Sequence, residues 1–395
     1  MSPVQIRKNP MSFLDYSKRA LASNQLSLLE EDKQLETLKY GFFGEIGSFL
    51  SSIKKSIRES SISDLDVGFS AEELGDALWY LFAISSCLKI TPKSLGKACI
   101  EKLHQGTDND NSYDSPSFRH IDGIIDFSYE GKIPGLDVQC HQIAVITSKL
   151  MDLKKTDKNK TETLASIFRE ITLTAACLNT SMQSIAEENL KKTESRWPGK
   201  NKEYIHFFDE GYPEVEQFPR TLKFVFEERE IKGKKYALIS LNDVYLGSRL
   251  TDNKHEQDDY RFHDVFHIAY IVFLGWSPVI RALLKRKRKS VPSVDENEDG
   301  ARAIIMEEGI ATWIFNHAAK RNFYAGVETG RIEYSVLKQI QSLIEGYEVE
   351  KCPLWQWEEA ILNGFQVFRG LHEHRSGTVT ADLNNRTLTF TPSGK

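Results

Sequence analysis

Glu72-Glu73-Leu74-Gly75-Asp76-Ala77-Leu78-Trp79-Tyr80-Leu81 decides how the first half of the chain is read. On an α-helix, residues three and four apart share a face, so Glu73 and Asp76 can point at one ion while Leu74, Leu78, Leu81 and Phe82 pack inward. The helical spacing runs from Ala71 to Leu88. An earlier run, Gly44-Glu45-Ile46-Gly47-Ser48, lies in a second stretch of helical period from Leu38 to Ile57, whose apolar positions are Phe42, Phe43, Ile46, Phe49, Leu50 and Ile53. Carboxylates set into such faces are unfavourable unless something neutralises them. Three oxygen donors converging from two helices, Glu45, Glu73 and Asp76, suit Mg²⁺, with Mn²⁺ as the alternative ion. The competing reading is an acidic helix face exposed to water.

The pattern resembles the MazG-type all-α nucleoside triphosphate pyrophosphohydrolases. Their mark is a paired Glu-x-x-Glu and Glu-x-x-Asp on two helices, followed by an amphipathic helix ending in Asn-x-x-Lys. The resemblance covers residues 35–200. Glu72 to Leu81 matches the second half of the mark, and Lys54-Lys55 sits where the family often has lysines. The first half departs from it, because Ser48 stands where the second Glu is expected.

The plan recurs from about residue 137 in degenerate form. Tyr40 to Lys55 can be laid over Cys140 to Lys155, and Cys87-Leu88 over Cys177-Leu178. Met182 to Lys192, continuing through Arg196-Trp197-Pro198, looks like the family's terminal helix with Asn189 and Lys192 in place. In the first copy Cys99 stands at the Asn position and Lys102 keeps the Lys. The second copy has Val145 against Glu45 and no Glu-x-x-Asp between Thr161 and Leu178, so it cannot hold a metal alone. The expected fold is therefore mainly α: a MazG-like bundle of two degenerate helical repeats, residues 1–110 and 111–200, followed by an α+β domain over 215–395.

The resemblance implies Mg²⁺-dependent hydrolysis of a nucleoside triphosphate to monophosphate and pyrophosphate. Glu45, Glu72, Glu73 and Asp76 would be catalytic, with Glu72 replacing the lost ligand. Lys54, Asn189, Lys192 and Arg196 would grip phosphates, and Trp79 with Tyr80 would stack on the base. It also implies that the helices pack as dimers or fused pseudo-dimers, which makes a homo-oligomer an expected state. Two alternatives stand beside this. The second copy is a packing partner only, or the loss at Ser48 leaves a nucleotide-binding sensor that regulates the C-terminal domain.

At 395 residues, with 40% hydrophobic and 27% charged residues, the chain has the make-up of a globular protein of two or three domains. A net charge of −5 argues against a globally basic nucleic-acid binder. Met1 to Ser12 is polar, without the apolar run of a signal peptide. The most apolar segment, Val265 to Trp276, is too short to span a bilayer. The cysteines Cys87, Cys99, Cys140, Cys177 and Cys352 lack pairing or metal spacing, as expected of reduced thiols in a cytoplasmic protein.

Residues 104–120 are polar and read as a linker, and Pro198, Gly199, Gly211, Pro213 and Pro219 mark a second boundary. Beyond it the period changes to alternation. Leu222, Phe224 and Phe226 form one strand face, paired across Lys232-Gly233-Lys234 with Tyr236 to Leu241. Helices are expected over 258–285, 299–322 and 331–345, and a closing hairpin around Asn384-Asn385.

Arg261-Phe262-His263-Asp264-Val265-Phe266-His267 is the second chemical constellation. Two His at i and i+4 share a helix face and can bind one Zn²⁺, with Glu307 or Glu308 as third ligand. Asp264 would then sit where a metalloprotease places its catalytic Glu, one methylene short of reach. A His-Asp phosphohydrolase would need His255 and Asp295 or Asp299 in register. The plainest alternative is a hydrogen-bonded buried network. Next to it, Arg281, Lys285 and Arg288 would align on a continuing helix and meet phosphates.

Overall fold

The computed structural model describes residues 10–58, 67–104, 115–130, 132–199 and 202–394. The chain divides into two compact units, Met1–Gly199 and Lys200–Lys395. Both stretches expected as repeats lie in the first unit, and the second begins at Lys200 rather than at 215. The boundary expected at 110 and most of the linker expected at 104–120 fall outside the described residues. Phe118 onward is helix rather than linker.

Among its described residues the first unit is helical: α1 (Phe13–Leu21), α2 (Glu31–Arg58), α3 (Val67–Cys87), α4 (Pro92–His104), α5 (Phe118–Ser128), α6 (Leu136–Asp152), α7 (Lys160–Cys177) and α8 (Met182–Arg196). Local signals set the ends. Ser12 caps α1 by accepting from the Asp15 amide at 3.0 Å, and Ser117 with His120 forms a capping box on α5. The Ser12 and Ser117 segments meet in a short antiparallel bridge. The helices pack crosswise. α2 lies on α3 and α6 on α7, while α4 crosses to α7 and α8 crosses to α3. α3 and α7 end in the same turn, with Lys89 and Asn179 in the left-handed region at φ 59° and 53°. At the centre, Phe13, Tyr16, Phe82, Phe118 and Phe168, all fully or almost fully buried, stack edge to face or tilted.

The second unit carries a five-stranded antiparallel sheet of order β3-β2-β1-β4-β5: β1 (Thr221–Ile231), β2 (Lys234–Leu241), β3 (Val244–Tyr245), β4 (Ser376–Asp382) and β5 (Thr387–Pro392). Both expected hairpins form. Phe226 pairs with Ile239 and Phe224 with Leu241, and Leu222, Phe224 and Phe226 are buried. Among its described residues six α-helices complete the unit: α9 (Asp264–Phe273), α10 (Pro278–Leu283), α11 (Pro292–Asn297), α12 (Ala301–Ala319), α13 (Tyr334–Leu343) and α14 (Leu354–His374). α9 is buried along its whole length and packs on α14. Gly364 permits the close approach, since a Cβ there would lie 3.1 Å from the Phe266 ring and 3.3 Å from Ala269 Cβ.

Two expectations for this unit are corrected. The segment 258–285 is not one helix but a turn, α9, a break at Gly275 and α10, which ends at Leu283, and Lys285 has φ 56°. The basic face expected from Arg281, Lys285 and Arg288 therefore does not form. Arg281 and Arg288 are 1% and 0% exposed. Arg288 forks onto Asp299 at 2.7 and 3.1 Å and onto Glu348 at 2.6 and 2.9 Å, while Arg281 lies 3.4 Å from Asp209 and 3.5 Å from Asp299. These guanidiniums neutralise buried carboxylates instead of facing phosphates.

Candidate functional sites

In the first unit, α3 presents Glu72, Glu73 and Asp76 toward α2 and α8. Gly75 lets α8 come close, because a Cβ at that position would stand 3.2 Å from Asn189 Cβ. α8 is itself set by α5: Asp122 accepts from the Met182 and Gln183 amides at 2.7 and 3.1 Å, placing a carboxylate on the positive end of the helix. Asn189 Nδ2 then donates to Asp76 Oδ1 at 3.0 Å, and the Tyr16 hydroxyl donates to Asn189 Oδ1 at 2.8 Å. The Lys192 ammonium bridges Glu72 at 2.9 Å and Asp76. Residues from the two ends of the unit thus form one cluster.

The Glu45 carboxyl is pushed up to about 8, first by burial, then by the charge of Asp76 and by its hydrogen bond to Glu73. Glu73 is raised too, chiefly by burial, against the lowering effect of the bond from Glu45. A hydrogen bond between two carboxyls requires a proton on one of them, and burial favours keeping it there. Tyr80 is raised by burial, then by the charges of Glu45 and Asp76.

The other expected residues are placed differently. Asn189 is 4% exposed with both side-chain ends engaged, so it orients Asp76 rather than offering a free donor to phosphate. The indole N–H of Trp79 donates to Ala20 O at 2.8 Å and lies 3.1 Å from Ser23 Oγ, tying α3 to α1, and its ring meets that of Tyr80 edge-on at 5.0 Å. Arg196 stacks its guanidinium over Trp197 at 4.4 Å. Lys54 is exposed, nine residues beyond Glu45. It therefore lies about 13 Å further along α2 and about half a turn round, away from the carboxylates. Ser48 is exposed as well.

Glu45, Glu73 and Asp76 do not each bring an oxygen within 4.8 Å of one another. Among the described residues the group that does so is His263, His267 and Glu308, in the second unit. Electrostatics explains the spacing: Asp76 turns to Lys192 and Asn189, while Glu45 and Glu73 hold a proton between them. The donor set nonetheless fits a hard divalent ion, being all oxygen and with its charges already balanced by a proton and an ammonium that a cation could replace.

In the second unit, His263 ends a tight turn over Tyr260–Phe262 and leads into α9, so it and His267 share a face. His263 Nδ1 lies 2.9 Å from the Tyr260 carbonyl, and the Tyr260 ring stacks on the imidazole at 4.3 Å. His267 Nδ1 lies 2.8 Å from Glu307 Oε1. The Ser277 hydroxyl and the Val279 amide donate to the same Glu307 carboxylate at 2.6 and 2.8 Å. Glu308 Oε2 stands 3.5 Å from both His263 Nε2 and His267 Nε2, and Asp264 Oδ1 is 3.4 Å from His263 Nε2. Burial alone would raise the Glu308 carboxyl, but the two imidazoles hold it well below the carboxylate range. His255 is exposed, Asp299 is taken by Arg288 and Asp295 lies 4.0 Å from Lys287, so among the described residues none of the three joins the group of His263, His267 and Glu308 that a His-Asp phosphohydrolase would need. Spacing in the sequence could not separate Glu307 from Glu308. Nothing in it marked Tyr16 or Asp122.

Residues 203–394 match the family model of the MazG C-terminal domain. The match covers just under half of the chain and does not reach the helical unit that carries the carboxylates. No curated protein and no solved structure was found to match the chain. Among the described residues no helix is long and apolar enough to cross a membrane.

Proposed function

We propose that the first unit is a Mg²⁺-dependent nucleoside triphosphate pyrophosphohydrolase, built from two degenerate MazG-like repeats that share one site. The observation that carries this reading is the contact of Asn189 and Lys192, from the last helix of the unit, with Asp76 and Glu72 on α3. Glu45, Glu73 and Asp76, with Glu72 beside them, are the residues that would hold Mg²⁺, which supplies positive charge to the phosphates and to an attacking water. Asn189, fixed by Tyr16, holds Asp76 in orientation. Lys192 neutralises Glu72 and Asp76 before the ion binds and is within reach of a phosphate once it does. Tyr80, beside the carboxylates, offers a ring to the base. The match of residues 203–394 to a MazG domain makes a MazG-type partner unit in the same chain the expected companion.

The test is chromatography of a nucleoside triphosphate panel incubated with the protein and Mg²⁺. Monophosphate and pyrophosphate in equal amounts support the reading, and diphosphate with orthophosphate contradicts it. A second reading, nucleotide binding without turnover, is favoured by Ser48, where a fourth carboxylate would complete the set. Saturable binding of a triphosphate that survives unchanged would select it.

A further inference from the structure

We infer that the second unit binds one divalent transition-metal ion between His263 Nε2, His267 Nε2 and the Glu308 carboxylate, with a coordination position facing solvent. This is a site distinct from the carboxylates of the first unit and does not depend on their reading.

The argument starts from where the protons must be. A backbone carbonyl and a carboxylate accept hydrogen bonds and cannot donate them, so the Nδ1 atoms of His263 and His267 are the protonated ones, each facing such an acceptor at 2.9 and 2.8 Å. With one proton on each ring both Nε2 atoms are lone-pair acceptors, so either a second proton or a metal cation must neutralise their approach to Glu308. They face a third acceptor, Glu308 Oε2, at 3.5 Å each. His267 Nε2, on a side chain that is 0% exposed, makes no hydrogen bond, so a proton on that atom would be left without a bonded acceptor. A metal cation between the two Nε2 atoms and Glu308 resolves the conflict. Two donors about 2.1 Å from a tetrahedral ion stand about 3.4 Å apart, close to the observed separations.

The surroundings are those of a built site. Glu307 is fully buried and fixed by Ser277 and the Val279 amide, and it orients His267 through Nδ1. Such a carboxylate behind a ligand histidine sets its tautomer and raises its basicity. Adjacent glutamates therefore have different tasks, Glu308 to ligate and Glu307 to position. Imidazole donors favour zinc, iron, cobalt or nickel over magnesium. The Glu308 side chain is 40% exposed while the histidines are 7% and 0% exposed, so the remaining side of the ion faces water.

The test uses full-length protein stripped with chelator, dialysed, and titrated with Zn²⁺ alone. We expect one zinc per chain to be lost in Glu308→Gln, which changes a part-exposed side chain and should leave the fold intact by circular dichroism. Glu307→Gln should weaken zinc binding by about 10–100-fold. Glu73→Gln, in the first unit, should leave this zinc in place. Co²⁺ in the same site should give visible bands that shift on adding azide. Wild-type protein that takes up neither ion, or Glu308→Gln that binds zinc as tightly as wild type, would overturn the inference. Co²⁺ bands indifferent to azide would overturn the open position.

Discussion

Asn189 donates to Asp76 at 3.0 Å across a separation of 113 residues, and the Tyr16 hydroxyl holds the far end of the same amide at 2.8 Å. The cluster is thereby a property of the whole first unit, because α1, α3 and α8 must all be in place to make it. Asn189→Ala leaves a buried hydroxyl and a carboxylate oxygen short of a partner. It should lower unfolding stability by about 1–3 kcal/mol and reduce pyrophosphate release. Tyr16→Phe removes one hydrogen bond and should lower stability by about 0.5–1.5 kcal/mol with less effect on turnover. Denaturant melts compare the two, and equal losses would mean that the amide does not orient Asp76.

Glu73→Gln and Asp76→Asn should separate stability from chemistry. Glu73 sits among like charges, so its neutral isostere relieves repulsion and should leave melting unchanged or raised. Asp76 is the partner of Lys192 and Asn189, and both side chains of the ion pair are about four-fifths buried. Asp76→Asn should therefore destabilise, by about 1–3 kcal/mol. Both should abolish Mg²⁺-dependent pyrophosphate release. Normal turnover in either variant would remove that residue from the proposed metal set.

Glu45 gives the first unit a pH dependence of defined sign. Its folded value of about 8 lies above the ordinary 4.5, so the folded state holds a proton that the unfolded chain releases. This contribution to stability is complete below about pH 4.5 and is lost as pH rises through about 8. In chelator, the melting temperature should fall between about pH 6 and pH 8.5, and Glu45→Gln should flatten that fall. Added Mg²⁺ should restore more stability at the upper end, where the carboxylates are free of the proton. A Glu45→Gln profile parallel to wild type would show that another group controls the titration.

The sequence showed the elements whose period is clean and hid those whose chemistry is tertiary. Alternation at Leu222, Phe224 and Phe226 and the Asn384-Asn385 turn gave both hairpins. The helical spacing of Phe42 to Ile53 and of Leu74 to Phe82 gave α2 and α3. α14 is hard to read in the sequence because its first turns, Leu354 to Glu358, are buried on every side, which blurs the polar face that makes a helix legible. The Arg281 to Lys289 run reads as a surface stripe until Asp209, Asp299 and Glu348, distant in sequence, are seen to consume its guanidiniums. Asn189 and Lys192 could be selected from the Asn-x-x-Lys spacing alone, but only the crossing of α8 onto α3 shows that Asp76 and Glu72 are their partners.

Ser48 marks the departure from the family pattern and offers a gain-of-function test. It is exposed on α2, three residues beyond Glu45 and on the same face, so a longer acidic side chain there meets no packing obstacle. Ser48→Glu should raise Mg²⁺ affinity and turnover if a ligand was lost at this position. Lys54→Ala, on the opposite side of the helix, should change neither. Isothermal titration with Mg²⁺ and the pyrophosphate assay measure both, and weaker Mg²⁺ binding in Ser48→Glu would contradict the alignment.

Lys102 pairs with Glu162 on α4 and α7, as Lys192 pairs with Glu72 on α8 and α3. Each lysine leaves its own half of the unit to meet a glutamate of the other, so α2 and α6 cover their neighbours α3 and α7 only in part. A fragment of residues 1–110 should then expose the faces of α3 and α4 that α8 and α7 cover, and should dimerise by the same crossed packing or aggregate. In such a dimer Cys99 would stand where Asn189 meets Asp76, so the fragment should also lack pyrophosphate release even with Mg²⁺ in excess. Sedimentation equilibrium gives the state of assembly. A well-folded monomer would show that the first half buries its own core, and that the two halves are not repeats that complete each other.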